Sequence, residues 1–190
     1  MHSSKPNPQA RLGPLHYAVL KRDLDDVRNQ LQQGVDVIAQ NLDGDTALHM
    51  LRHPRKRTSA RDAALTADEW DYECIRLAEE IVRLLSSADK RCFRAVDAVG
   101  NTPLMSCLNA PDIKIYVVAV LLELDQQINV NGIDFDILNN ENESALDLAF
   151  VSGRPDYVDV ICEYYFRNSP TVSVTISTYC CHHAIRYTFI

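Results

Sequence analysis

The chain has 190 residues, 46% hydrophobic and 24% charged, with six cysteines and a formal net charge of −7. This is the composition of an ordinary soluble globular chain, and the length fits one domain. No apolar run approaches the ~20 residues that span a bilayer, and Met1 to Gln9 holds no apolar core, so neither a membrane span nor a secretory leader is expected.

The first ten residues are polar, with Pro6 and Pro8, and read as a disordered lead-in. Gly13-Pro14-Leu15-His16-Tyr17-Ala18 then opens a short helix. A second helix follows, with Leu24, Val27 and Leu31 as a narrow apolar stripe. A polar outer side is what the terminal member of a stack presents. The opening motif returns 33 residues later as Gly44-Asp45-Thr46-Ala47-Leu48-His49, again as Gly100-Asn101-Thr102-Pro103-Leu104-Met105, and more weakly as Asn142-Glu143-Ser144-Ala145-Leu146-Asp147. Thr46, Thr102 and Ser144 are hydroxyl residues before apolar runs and read as helix N-caps. Pro103 fits the first helical position, where its missing N–H costs nothing. Gly44 and Gly100 are expected at positive φ in the turn before each cap, with Asn142 tolerated in the same place. Leu15, Leu48, Leu104 and Leu146 fall on the buried face of each first helix. The leucine spacings of 33, 56 and 42 leave insertions of 23 and 9 residues in the second and third repeats.

In the second repeat, Arg52 to Arg61 carries five Lys/Arg in ten residues, and Pro54 ends the preceding helix. Thr66-x-x-Glu69 is a capping box. It opens a lengthened helix with Trp70, Ile75, Ala78, Ile81, Val82 and Leu85 at helical spacing, so the insertion should project as a loop into solvent. In the third repeat, the helix near Ile113 to Leu124 is apolar almost all round, as an interior element should be. Asn129 to Gly132 and Asn139-Asn140 mark an extended finger after it. The fourth repeat places helices at about 144–151 and 156–166 with Gly153 at the turn. Its last helix presents Tyr157, Val158, Val160, Ile161 and Tyr164, an interior-type face that needs covering. Val172, Val174 and Ile176 alternate with hydroxyl residues, so the tail 168–190 is expected to fold back as a strand over that helix.

With Pro14-Leu15-His16, Ala18, Leu24, Val27, Leu31 and Gly34-Val35-Asp36-Val37 at coupled positions, and the run from Gly34 through His49 without a gap, the chain resembles the ankyrin repeat family. The resemblance covers residues 11–167. It implies an all-α solenoid of about four helix-turn-helix repeats with β-hairpin-like fingers, at about 11–40, 41–96, 97–138 and 139–167. Two departures are Gly13 in place of the capping Thr and Met105 in place of the usual His. In the family that His, here His16 and His49, supports the helix start through hydrogen bonds. Family ligands lie along the concave surface of finger tips and first helices. Carried over, the exposed positions are Leu12 and Tyr17; Leu42, Asp43, Asp45 and Met50; Ala98, Val99, Asn101 and Ser106; and Asn140, Glu141, Glu143 and Leu148. The implied function is non-catalytic protein binding, as an adaptor, scaffold or inhibitor. A segment of a larger protein whose other domains carry the activity is the alternative.

The uneven charge reads either as ordinary solvation of a soluble surface or as a face for a basic protein segment. Residues 112–163 hold 11 Asp/Glu against 2 Lys/Arg, whereas residues 1–61 hold 6 against 10. Nucleic acid is not expected at the acidic half, and a partner with an apolar anchor and a basic flank is. Nothing in the sequence calls for a catalytic residue or a cofactor: there is no phosphate loop, no His-Glu-x-x-His and no nucleophile elbow. Cys180-Cys181-His182-His183 cannot close one tetrahedral metal site, because adjacent strand residues point to opposite faces. Cys74, Cys107 and Cys162 lie in apolar helical patterns as small hydrophobes. The basic run 52–61 reads as a solvated loop, a nuclear import signal or a recognition patch, and Arg55-Lys56-Arg57-Thr58-Ser59 also resembles a substrate of basic-directed kinases. A monomer in a reducing compartment, cytoplasm or nucleus, is expected.

Overall fold

The computed structural model describes residues 12–128 and 137–168, so the lead-in and the expected tail strand lie outside the described residues. Within them all regular structure is helical: α1 (Pro14–Lys21), α2 (Leu24–Gln32), a 3-10 helix (Ala47–Arg52), α3 (Ala60–Ala64), α4 (Ala67–Ala88), a 3-10 turn (Lys90–Phe93), α5 (Pro103–Leu108), α6 (Ile115–Ile128), α7 (Ala145–Val151) and α8 (Pro155–Asn168). No helix among the described residues is long and apolar enough to cross a membrane.

The contacts arrange these elements in two rows. In one, α1 packs on the 3-10 helix Ala47–Arg52, which packs on α5, which packs on α7. In the other, α2 packs on α4, α4 on α6 and α6 on α8. The core lies between the rows. Leu15, Leu48, Leu104 and Leu146 are all buried there, each contributing about 1.5–3 kcal/mol by leaving water. On α8, Tyr157, Ile161 and Tyr164 are buried, while Val158, Val160 and Cys162 are only half-buried. Tyr157 also donates to the Ile113 carbonyl at 3.0 Å.

Each expected helix start is present. Thr102 Oγ1 accepts from Met105 N at 3.4 Å. Ser144 Oγ accepts from Asp147 N at 3.2 Å, and the Asp147 carboxylate accepts from Ser144 N at 2.9 Å. Thr66 and Glu69 exchange the same pair of bonds at the head of the 22-residue α4. The start at Thr46 differs from expectation, because the helix it opens is 3-10. Pro54 holds His53 extended, at ψ 125, and so leaves a single short stretch between Thr46 and His53.

The fingers between repeats contain no strand among the described residues. They share one construction instead. Asn41, Asp97 and Asn139 each offer a side-chain oxygen to two backbone N–H groups, two and four residues on. The backbone N–H of each also donates to the carbonyl of Asp45, Asn101 or Glu143 respectively. Gly44 and Gly100 take φ +83 in these turns, and Asn142 takes φ +60. A Cβ on Gly44 would lie 2.7 Å from Ala98 N, and one on Gly100 would lie 2.9 Å from Asn140 N. Glycine is thus required twice over, by φ and by the approach of the next finger.

Arg22 closes the first helix pair. It stands in the left-handed region at φ +59, where the fourth repeat has Gly153 at +67. Only 7% exposed, it donates to the carbonyls of Val19, Leu51 and His53 at 2.6, 3.1 and 2.9 Å. Burial pushes its pKa down to about 10, so it stays charged at neutral pH, facing the carbonyl end of the 3-10 helix.

The insertion lies on the solvent side, with Lys56 to Arg61 exposed, but it is anchored to α4 rather than free-standing. Arg55 pairs with Asp62 at 2.9 Å, and the guanidinium carbons of Arg55 and Arg57 lie 4.4 and 4.8 Å from the centroid of the Trp70 ring. Arg57 also donates to the Leu65 carbonyl at 2.8 Å. Trp70 therefore sits half-buried under two cations, and the apolar face of α4 is carried by Cys74, Leu77, Ala78, Ile81, Val82 and Leu85. The Arg55–Asp62 pair, the bonds of Arg57 to backbone carbonyls and the two cation–aromatic contacts together hold the basic loop on α4.

Candidate functional site

The ends of the first-row elements and two fingers enclose a groove of about 510 Å³. It is lined by Asp43 and Asp45 of the second finger, by Asp97, Ala98, Val99 and Asn101 of the third, by Ser106, and by the segments that follow the two helices, Arg52 to Pro54 and Asn109 to Asp112.

Two histidines set the spacing between the fingers. His49 Nε2 lies 2.9 Å from the Asn101 carbonyl, which can only accept, so Nε2 carries the proton. Nδ1 then accepts from Thr46 N at 3.2 Å. One ring thus caps its own helix and fixes the next finger. His16 Nε2 makes the equivalent contact with the Asp45 carbonyl at 2.9 Å. Burial holds both rings below the ordinary histidine pKa, with the carbonyl contact opposing it in each case. At the third helix start Met105 replaces the ring, and its sulfur accepts from Thr102 N at 3.5 Å.

Within the groove, Arg52 grips Asp45 with two bonds of 2.6 and 2.7 Å. Ser106 donates to Asp97 at 3.0 Å. Asp112 and Asp43 are exposed beside the apolar surface of Val99, Ala98, Ala110, Pro111 and Pro54. The groove therefore offers an apolar patch rimmed by carboxylates, with its arginine already neutralised by Asp45. Among the described residues no group of three or more His, Cys, Asp or Glu could hold a metal ion.

The structure brings Asp43, Asp45, Ala98, Val99, Asn101 and Ser106 together in this groove. Several positions expected to be exposed are not. Met50 and Leu148 are 2% and 3% exposed, and Asp45, Asn101 and Ser106 are buried as well. Met50, Ser106 and Leu148 all stand two residues after the core leucine of their repeats, and that position faces inward in all three. Leu148 packs into the core beneath α7. Asp45, Asn101 and Ser106 are consumed by bonds to Arg52, Asn139 and Asp97. Leu42 is 75% exposed and Val99 55%, both at finger tips. Leu12 is half-buried against the core. Tyr17 lies outside the groove, with Lys21 Nζ 5.4 Å from its ring centroid. Asn140, Glu141 and Glu143 also lie outside it. Asn140 donates to the Ala98 carbonyl, and Glu143 accepts from Asn139. Asn109 to Asp112 are not among the expected positions, and Arg52 to Pro54 enter only as the start of the basic run, one of whose readings is a recognition patch.

No protein-family model matches the chain, and no curated protein sequence matches it.

Proposed function

We propose that the chain is an ankyrin-type repeat solenoid that binds another protein, without catalysis, through the groove between its second and third fingers. The observation that carries this is the triplicate finger construction on Asn41, Asp97 and Asn139, joined by His16 and His49 reaching from one repeat to the carbonyl of the next. Such spacing holds finger tips at fixed intervals, which is how a repeat array presents an extended binding face. The partner segment places an apolar side chain on Val99, Ala98 and Pro111, with basic residues toward Asp43 and Asp112. Exposed carboxylates at the rim steer a cationic segment, and the apolar centre retains it.

The test is affinity capture from native lysate by the wild-type chain beside an Asp43→Lys, Val99→Arg, Asp112→Lys variant. All three side chains are exposed, so the variant should fold. A protein held by the wild type and lost by the variant supports the groove. Equal capture by both places binding elsewhere.

A further inference from the structure

Residues 54–58 of the insertion have no regular structure, and Lys56, Arg57, Thr58 and Ser59 are all exposed. Beneath them lies a continuous ionic cluster. Asp62 Oδ2 accepts from Thr58 N at 3.3 Å and from Ser59 N at 3.2 Å, while Asp62 N donates to Ser59 Oγ at 3.0 Å. Asp62 in turn holds Arg55, which lies over Trp70 beside Arg57. The Ser59 hydroxyl is thus three contacts away, through Asp62 and Arg55, from the ring of the only tryptophan in the chain.

We propose that Ser59 is a phosphorylation site for a protein kinase that selects basic residues ahead of its target, and that the added phosphate draws Arg55 off Trp70. Two hydroxyls compete for that role, and the structure separates them. Ser59 has Lys56 and Arg57 three and two residues before it. Both are exposed, and Lys56 makes no ion pair or hydrogen bond among the described residues. Thr58 has Arg55 three residues before it, but Arg55 is held by Asp62 and is only 16% exposed along its side chain. A kinase reading Ser59 leaves the Arg55–Asp62 pair intact and has only to lift Arg57 from Trp70 and the Leu65 carbonyl; one reading Thr58 must first break that pair.

In the transfer, Ser59 Oγ bonds to the γ-phosphorus of ATP as the bond from that phosphorus to the β,γ-bridging oxygen breaks. ADP leaves with the electron pair, and the hydroxyl proton passes to the kinase's base. The phosphoserine carries about −1.5 to −2 charge at neutral pH. It stands against the Asp62 carboxylate, so the two anions repel. Arg55 and Arg57 gain a dianionic acceptor better than either Asp62 or an aromatic face. The stack over Trp70 opens and its environment changes. This inference does not rest on the groove.

The experiment treats the folded full chain with ATP, magnesium and the catalytic domain of a kinase with that basic preference. Mass spectrometry maps the phosphate, and Trp70 emission is followed in parallel. The expected result is phosphate on Ser59, retained in Thr58→Ala and lowered at least about ten-fold in Ser59→Ala, with a shift of Trp70 emission as the phosphate is added. An Arg55→Gln variant, which keeps Lys56 and Arg57 for the kinase, should be phosphorylated at Ser59 with a smaller shift of Trp70 emission than the wild type. Circular dichroism establishes that each variant keeps its helices. Phosphate on Thr58 alone, or none on the folded chain, overturns the site. Phosphate on Ser59 with unchanged Trp70 emission overturns the switch.

Discussion

The junction between the second and third repeats and the junction between the third and fourth are alike at the finger and unlike at the helix start. In both, a glycine at φ +83 lets the next finger close in, and an Asx side chain ties the turn. At the first of these junctions, His49 caps its helix and also donates to the Asn101 carbonyl. At the second, Met105 caps with sulfur. There Asn140 makes the link instead, donating from its backbone to Val99 O at 3.0 Å and from its amide to Ala98 O at 3.3 Å, with Asn139 donating to the Asn101 side chain at 3.1 Å. One buried ring is thus replaced by several amides, most of them nearer solvent. The Asx turn is the constant of the architecture, and the bridge above it is interchangeable.

The largest effect should come from breaking what the two junctions share. Gly44→Ala and Gly100→Ala each force a Cβ to within 3 Å of the neighbouring finger's backbone, at a φ that strains any L side chain. Each should cost about 3 kcal/mol. Gly153→Ala has the same kind of φ but open space around it, so only the strain of about 1 kcal/mol applies. Urea denaturation of the three variants checks this. Equal losses at all three positions would mean that finger contact contributes nothing.

A swap sharpens the difference. His49→Met removes the donor to the Asn101 carbonyl and should cost about 1–3 kcal/mol. Met105→His should place Nε2 toward the Glu143 carbonyl, which accepts from Asn139 N and has a second lone pair to give. Its change should lie within about 1 kcal/mol of zero. A loss at 105 as large as that at 49 would show that the third finger cannot accept a ring.

The helix caps and the positive-φ glycines were legible because each depends on one residue type at a fixed offset from an apolar run: Thr46, Thr102 and Ser144, two residues after Gly44, Gly100 and Asn142. The Asx turn was not, since Asn41, Asp97 and Asn139 look like any polar turn residue until their bonds two and four residues on are seen. The groove was half legible. Its finger residues follow from the repeat, but the Arg52–Asp45 pair depends on a 3-10 helix that pattern alone reads as α. Met50, Ser106 and Leu148 share one offset and are all buried, so this exposed position implied by the resemblance does not carry over to this chain. The collapse of the basic loop onto Trp70 is a long-range cation–aromatic contact with no periodic trace.

The smallest effect separates the junctions by proton rather than by mutation. His16 and His49 sit below the ordinary histidine pKa because burial opposes the charged ring. Protonation also places a hydrogen on Nδ1 of His49, where Thr46 N already donates. Between the unfolded value, near 6.5, and the lower folded value, the unfolded chain binds more protons, so stability rises with pH in that window. The contribution is fully present above about pH 7 and is lost as pH falls through the mid-6 range toward the folded value. The melting temperature of the wild type should therefore decline from pH 7 to pH 5. In His49→Met the decline should be shallower, with the remainder due in part to His16. Met105→His should make it steeper, because it adds a third buried ring of the same kind. An unchanged slope in both variants would show that these rings are not what titrates, and that the bridging role of His49 does not require a neutral imidazole.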